Sequence, residues 1–157
     1  MPYSTANGIK IYYEIFGAGL PMVMIHANPF DHNLWTYQIA HFSTYFKVIA
    51  VDIRGYGRSD KPITPFSLRD MADDVVGVCR DEHVEEALVA GVSVGSGIAL
   101  LLGLDYPELC KVLILVGGGC EAGRNKDKRI RAYQEQGIER YHSQHLRELV
   151  SPRFADS

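Results

Sequence analysis

The chain has 157 residues, a length that suits one domain, and 46% of them are apolar, enough to bury a core. The 16 Lys and Arg residues against 19 Asp and Glu leave a net charge of -3, which argues against nucleic acid or a membrane surface as a partner. Three cysteines without a C-x-x-C pair argue against a disulfide framework and a cysteine-based zinc site, and they favour free thiols in the reducing cytoplasm.

The sequence opens with a hairpin signal. Asn7-Gly8 lies between two strand-like runs, and Asn-Gly tolerates positive φ at both turn positions. Residues 2–16 are therefore predicted to form an antiparallel hairpin with a two-residue turn.

Beyond the hairpin, strand-like and helix-like runs alternate. Continuous apolar runs, typical of parallel strands buried on both faces, lie at residues 22–26, 47–51, 87–92 and 111–116. Helices predicted between them cover residues 33–42, a stretch opening at Ser67 with Asp70 in an S-x-x-D capping pattern, and residues 98–106. This order predicts an α/β fold, with a mostly parallel, doubly wound sheet and the antiparallel hairpin at its N-terminal side.

The character of the sequence changes after Cys120. Residues 124–149 are charged with scattered apolar positions, which predicts one or two amphipathic helices that need another surface to cover their apolar stripe. We therefore divide the chain into a core, residues 1–120, and a second segment, residues 121–157.

One motif indicates a catalytic residue. Gly91-Val92-Ser93-Val94-Gly95 lies between a predicted strand and a predicted helix, the context in which G-x-S-x-G places a serine on a sharp, strained turn. Small residues two before and two after Ser93 let neighbouring backbone pass closely. The helix start supplies N–H groups and the positive end of a dipole, which favour the negative oxygen of acyl transfer. Ser93 is therefore the candidate nucleophile.

Two further loops follow predicted strands. His26-Ala27-Asn28-Pro29 follows the first parallel strand, and Asp52-x-Arg54-Gly55-x-Gly57-x-Ser59 follows the second. Asp52 and Arg54 can tie their turn by hydrogen bonds, while the glycines supply unusual φ values. Three such motifs in this order, each at the C-terminal end of a strand, resemble the first half of an α/β-hydrolase, over residues 8 to about 120.

The resemblance implies a reaction and a set of roles. In α/β-hydrolases a His-Gly-x-Pro loop offers a backbone N–H to the oxyanion, so Asn28 would share the oxyanion hole with Val94. Ala27 stands where glycine is usual, which fits only if its φ is negative. The implied activity is hydrolysis of an ester, lactone or related small carbonyl compound, with no metal or organic cofactor. The residues that would support the elbow and its neighbouring loops are Gly91, Gly95, His26, Asp52 and Arg54.

The residues that would activate the serine are missing from the pattern. A serine hydroxyl needs a base, and the base needs an orienting acid. In this family both follow the serine, beyond a helical lid, so residues 121–157 would be the start of that lid and the core would lack its last strands. We expect an N-terminal fragment that needs a missing C-terminal half or a second chain; a homo-oligomer is left open. Weaker candidates, predicted to be exposed, are Glu121, His142 and His145, and the remaining surface histidines are His32, His41 and His83.

Two alternatives stay open. The absent acid and base also suit a non-catalytic binding protein on a hydrolase scaffold. Gly91-x-x-x-Gly95-x-Gly97 matches a glycine pattern of NAD(P)-binding short-chain dehydrogenases. Against the dehydrogenase, those glycines follow the third parallel strand rather than the first, and the sequence has no Y-x-x-x-K.

Overall fold

The computed structural model describes residues 3–5, 7–118, 131, 134–137 and 140. The chain divides into two compact units, residues 1–120 and 121–157. In the second unit, residue 131, residues 134–136 and residue 140 are helical. That this segment begins a lid stays a prediction.

A six-stranded mixed sheet forms the first unit. Its strands are β1 Tyr3–Ser4, β2 Ile11–Phe16, β3 Leu20–Ile25, β4 Phe46–Val51, β5 Ala87–Val92 and β6 Cys110–Val116. They lie in the order β1-β2-β4-β3-β5-β6. β3, β4, β5 and β6 pair in parallel, and β1 and β2 are antiparallel to their neighbours. The predicted mostly parallel sheet with an N-terminal hairpin is confirmed.

Helices cover both faces of this sheet, which confirms the doubly wound arrangement. On one face, a 3₁₀ turn and the helix α1 supply Trp35 and Ile39 to an apolar cluster with β3, β4 and β5. On the other face, α2 and α3 pack on the same strands, and α2 begins at the predicted cap, with Ser67 and Asp70 bonding reciprocally. The bounds are His32–Trp35 for the 3₁₀ turn, Thr36–Phe42 for α1, Leu68–Asp81 for α2 and Val94–Asp105 for α3.

Within the described residues, no helix is long and apolar enough to cross a membrane.

The turn of the N-terminal hairpin differs from the prediction. Six residues, 5–10, connect β1 to β2, rather than the two expected. Gly8 has φ +77, but Asn7 does not adopt positive φ. Instead, the Asn7 side-chain amide donates to Asp74 Oδ1 at 2.9 Å. The prediction of a two-residue turn was therefore wrong, because a long-range hydrogen bond holds Asn7 in another conformation.

β6 also departs from expectation. Its apolar sequence predicted a strand buried on both faces, yet four of its side chains are 38–49% exposed. Among the described residues β6 pairs with β5 on one side and with no strand on the other. The prediction that this strand is buried on both faces was therefore wrong. The part of the chain described does not supply the neighbouring elements that would cover it. The exposed side chains are Val112, Ile114, Leu115 and Val116.

Candidate active site

Three loops leave the same edge of the sheet. Ile25, the last residue of β3, lies opposite Val51 at the end of β4 and opposite Gly91 in β5. Because parallel strands end at a common edge, the loops that follow β4, β3 and β5 lie side by side. The three sequence motifs are therefore neighbours in space.

Ser93 forms a tight turn between β5 and α3. Its backbone has φ +54 and ψ -114, a region that residues with a side chain rarely occupy, and its N–H donates to the carbonyl of Val116 in β6 at 2.8 Å. The residue is exposed, and no described residue hydrogen-bonds to its hydroxyl. Such strain is stored where function requires a particular side-chain position, so the geometry supports an elbow that presents a free serine hydroxyl.

The two glycines of the motif are required sterically. A Cβ on Gly91 would lie within 3.0 Å of the Gly95 carbonyl oxygen. A Cβ on Gly95 would lie 2.8 Å from the carbonyl oxygen of His26 and closer still to that of Ile25. The start of α3 therefore packs directly on backbone at the end of β3, as the small-residue argument predicted.

Ser96 supports the elbow and was not anticipated from the sequence. Its buried hydroxyl donates to the carbonyl of Gly91 at 2.8 Å and accepts from the N–H of Val116 at 3.1 Å. A Cβ on Gly118 would overlap the Ser96 side chain. The available signals were a serine inside an otherwise apolar helix and the glycine run of residues 117–119 after β6.

The loop after β3 is anchored by His26. This histidine is fully buried, its Nδ1 lies 2.9 Å from the carbonyl of Ala27, and its Nε2 accepts from the N–H of Ile53 at 3.1 Å. Ala27 does not adopt positive φ, so alanine fits where glycine is usual. Asn28 is exposed and joined to Pro29 by a cis peptide bond. His26 thus orders the loop from within, as predicted.

Asn28 and Val94 are the two predicted oxyanion donors. Val94 is the first residue of α3, so its N–H has no partner within the helix. The close contact of Gly95 with the end of β3 sets this helix start beside the loop that holds Asn28. The placement is compatible with a shared anion site at the positive end of the helix dipole.

Burial lowers the pKa of His26 from its ordinary value of 6.5, because the charged ring would be desolvated. The neutral ring therefore contributes stability that is present above pH 6.5 and is lost as the pH falls below it, where the unfolded state takes up the proton. We expect the stability advantage of the wild type over His26→Gln to shrink between about pH 7.5 and about pH 5. Urea denaturation of both proteins across this range measures it.

The control for this experiment is His41→Gln, since His41 is exposed on α1. That variant should follow the pH dependence of the wild type. A difference between wild type and His26→Gln that stays constant with pH would show that folding does not lower the pKa of His26.

The loop after β4 is built on a buried carboxylate. Asp52 is fully buried, and its two oxygens accept from the backbone N–H and Nδ1 of His32 and from the N–H of Arg58, at 2.7–2.8 Å. A Cβ on Gly57 would overlap this carboxylate. His32 is 4% exposed, so its prediction as a surface residue was wrong. The error arose because its partner lies 20 residues away in the sequence.

Arg54 has a separate partner. Its guanidinium makes a two-pronged ion pair with Asp74 in α2, at 2.5 and 2.6 Å, and donates to the carbonyl of Asp70 at 3.1 Å. The hydrogen bonds that Arg54 donates to Asp74 raise the pKa of Arg54. Both side chains are buried, so Arg54 fastens the loop to the helix, in agreement with its predicted structural role.

The remaining histidines give no base near Ser93 in the part of the chain described. His41 and His83 are exposed, as predicted. The other named candidates lie outside the described residues: Glu121, His142 and His145.

Comparison with known proteins agrees with the family that the three motifs indicate. A family model described as the alpha/beta hydrolase fold matches residues 21–155. The 2-hydroxymuconate semialdehyde hydrolase of Pseudomonas sp. (strain CF600) is 34% identical over 116 residues, covering 71% of this chain and 41% of that protein.

Solved structures agree in fold. Est816, an N-acyl homoserine lactone degrading enzyme, is 34% identical with a TM-score of 0.84, covering 97% of this chain and 59% of its own. The esterase EaEST from Exiguobacterium antarcticum is 34% identical with a TM-score of 0.73, covering 80% and 48%. The chain thus spans about half the length of the relatives it matches.

The family-model match extends over the three loops that meet at the sheet edge and over the strands that carry them. These comparisons support a hydrolase rather than the dehydrogenase that the glycine spacing left open. The chain belongs to the α/β-hydrolase fold family.

Proposed function

We propose that this chain carries the nucleophile of a serine hydrolase that acts on an ester, lactone or related carbonyl compound. The observation that carries the proposal is Ser93, an exposed hydroxyl at positive φ on a turn whose flanking glycines have no room for a side chain. The relatives named as an esterase and a lactone-degrading enzyme act on compounds with the same carbonyl group.

In the proposed reaction, Ser93 Oγ attacks the carbonyl carbon while a base takes the hydroxyl proton. The carbonyl oxygen becomes negative, and the N–H groups of Asn28 and Val94 donate to it. The carbon–oxygen bond to the leaving group then breaks, and the leaving group takes the proton from the base. Water attacks the acyl-serine in a second round, which releases the acid and restores the Ser93 hydroxyl.

We propose that the base and its acid come from polypeptide beyond the part described, either more of the same protein or a second chain. Two observations support this. No described residue hydrogen-bonds to the Ser93 hydroxyl. The chain also spans only 59% of Est816, its neighbour with a TM-score of 0.84.

The surface that such polypeptide would cover is apolar. It includes the free edge of β6 and a cavity of about 420 Å³ between α1 and the strands β3, β5 and β6. Trp35 lines this cavity, and its buried Nε1–H has no hydrogen-bond partner among the described residues. Since buried donors are normally satisfied, a covering segment that supplies an acceptor and apolar side chains would complete this face.

Labelling with a fluorophosphonate probe tests the nucleophile, because only an activated serine reacts quickly with it. We expect residues 1–157 alone to show little labelling and little p-nitrophenyl ester hydrolysis. The longest protein that the source gene encodes around this chain should be labelled and active. Its Ser93→Ala variant should lose both signals.

Ser43→Ala is the matched control, since Ser43 caps the end of α1 and lies outside the elbow. It should be labelled like the wild type. Rapid labelling of residues 1–157 alone would refute the need for further polypeptide. Labelling that persists in Ser93→Ala would refute the nucleophile, and no labelling of the longer protein would favour a non-catalytic binding protein.

We retain a cytoplasmic location as part of the proposal. Cys79 and Cys110 are both free thiols. Burial raises the pKa of the Cys79 thiol to about 12, so it stays protonated and unreactive. Free, inert thiols are what a reducing compartment favours.

A further inference from the structure

The loop of residues 26–31, which follows β3, is fastened at both of its ends to the two residues that follow β4, Asp52 and Ile53. At its start, His26 Nε2 accepts from the N–H of Ile53 at 3.1 Å. Just beyond its end, His32 donates twice to Asp52, from its backbone N–H at 2.8 Å and from Nδ1 at 2.7 Å. Asn28 lies between these anchors. The exposed part of the loop is therefore held by two buried histidines.

The second anchor is an ion pair enclosed by protein. Asp52 is fully buried and His32 is 4% exposed. The hydrogen bond that His32 donates to Asp52 raises the pKa of His32. Burial opposes ionisation of Asp52, but the hydrogen bonds from His32 and Arg58 outweigh it and lower the pKa of the carboxyl. A buried charged pair is costly unless its geometry is well satisfied, so this pair fixes one arrangement of the loop.

The surroundings of His32 suit a charged ring rather than an apolar core position. Its Nε2 lies 3.6 Å from Glu14 Oε1, so carboxylates flank the ring on both sides. The Tyr12 ring packs against it with centroids 5.5 Å apart. Asp31 also lies close, and the ligand atoms of Asp31, His32 and Asp52 fall within 4.8 Å of one another. The backbone N–H and Nδ1 of His32 are already used in joining the two loops, since both donate to Asp52 Oδ1.

We propose that His32, held by Asp52, is a positioning residue that fixes the backbone N–H of Asn28 for the Ser93 reaction. The inference rests on the proposed function only for the expected effect of His32 on the Ser93 reaction. An oxyanion donor must already be in place when charge develops on the substrate oxygen. A loop freed at the His32 end would hold the Asn28 amide less precisely, which weakens transition-state binding and leaves ground-state binding of substrate nearly unchanged.

The test compares His32→Ala with His32→Asn in the protein that is competent for Ser93 labelling. Asparagine keeps an N–H donor attached to Cγ, as His32 Nδ1 is, and can still donate to Asp52. We expect His32→Ala to lower kcat for p-nitrophenyl acetate about 10-fold with KM nearly unchanged, since loss of a whole oxyanion donor costs about 100-fold or more. His32→Asn should recover most of kcat, and His41→Ala should match the wild type.

A second readout does not depend on catalysis. Amide hydrogen exchange of residues 1–157 should be faster at Phe30 in His32→Ala, because the Phe30 N–H donates to the carbonyl of Ala27 within the loop, and it should be restored in His32→Asn. If the wild type never hydrolyses ester, the proposed function fails, while exchange still shows whether His32 holds the loop. Unchanged exchange at Phe30 in His32→Ala would overturn the inference, as would a rise in KM with kcat intact. Should His32→Ala not fold, His32→Gln, with its amide one bond farther out, replaces it.

Discussion

Replacing Gly95 by alanine is expected to destabilise the protein by about 3 kcal/mol or to prevent folding, because the new Cβ would overlap backbone that cannot move aside. The overlapped atoms are the carbonyl oxygens of Ile25 and His26, at the end of the central strand β3. To relieve the overlap, α3 would have to withdraw from the sheet and take the Ser93 turn with it. Urea denaturation followed by circular dichroism measures the loss.

Gly97→Ala is the matched control, two residues further along the same helix. A Cβ on Gly97 meets only the Leu68 side chain, at 3.5 Å, an ordinary van der Waals contact. Alanine is favoured over glycine inside a helix by about 1 kcal/mol, so this variant should be at least as stable as the wild type. The same propensity gain applies to Gly95→Ala, and the opposite sign of the two results would isolate the steric contact. Equal stability of the two variants would show that α3 does not approach β3 closely.

The elbow could be predicted from the sequence because its determinants are local. A buried strand, a G-x-S-x-G turn and a helix follow one another within about 20 residues, and the glycine spacing itself encodes the close approach of backbone. The roles of His26 and Arg54 could be predicted only in outline, as structural residues. Their partners, Ile53 and Asp74, were not identifiable from spacing.

The errors share one physical origin, which is contact between residues distant in sequence. His32 was predicted to be exposed because it falls in a helix or loop position that matches no catalytic pattern. Asp52, 20 residues away in the sequence, supplies the negative charge that offsets the cost of burying His32. Asn7 was expected to shape a tight turn, but its side chain bonds to Asp74 across 67 residues.

For β6, the strand was predicted correctly but its burial was not. Its apolar pattern correctly indicates a strand, yet the pattern describes a strand with neighbours on every side. The described chain provides β5 on one side and α3 on part of one face. The mismatch between sequence and exposure is therefore informative, since it supports the proposal that further polypeptide packs on β6.

The second large effect is expected at Arg54. Arg54→Leu would leave the carboxylate of Asp74 buried without its cation, and breaking a buried ion pair from one side costs about 3–5 kcal/mol. Asp74 is 2% exposed and, among the described residues, would keep only the weaker hydrogen bond from the Asn7 amide. We expect a fall in the urea midpoint and looser attachment of the loop of residues 52–60, measured by limited proteolysis.

Arg69→Leu separates this effect from the general loss of an arginine. Arg69 pairs with Asp105 at 3.1 Å, but its side chain is 65% exposed, and exposed ion pairs contribute at most about 1 kcal/mol. The double variant Arg54→Leu with Asp74→Leu tests whether the unpaired carboxylate of Asp74 causes the loss of stability. Because it removes both charges, it should recover much of the stability lost in Arg54→Leu alone. If the double variant is instead the less stable, the pair is net stabilising in itself, and the loop after β4 depends on attraction between the two charges rather than on avoiding an unpaired one.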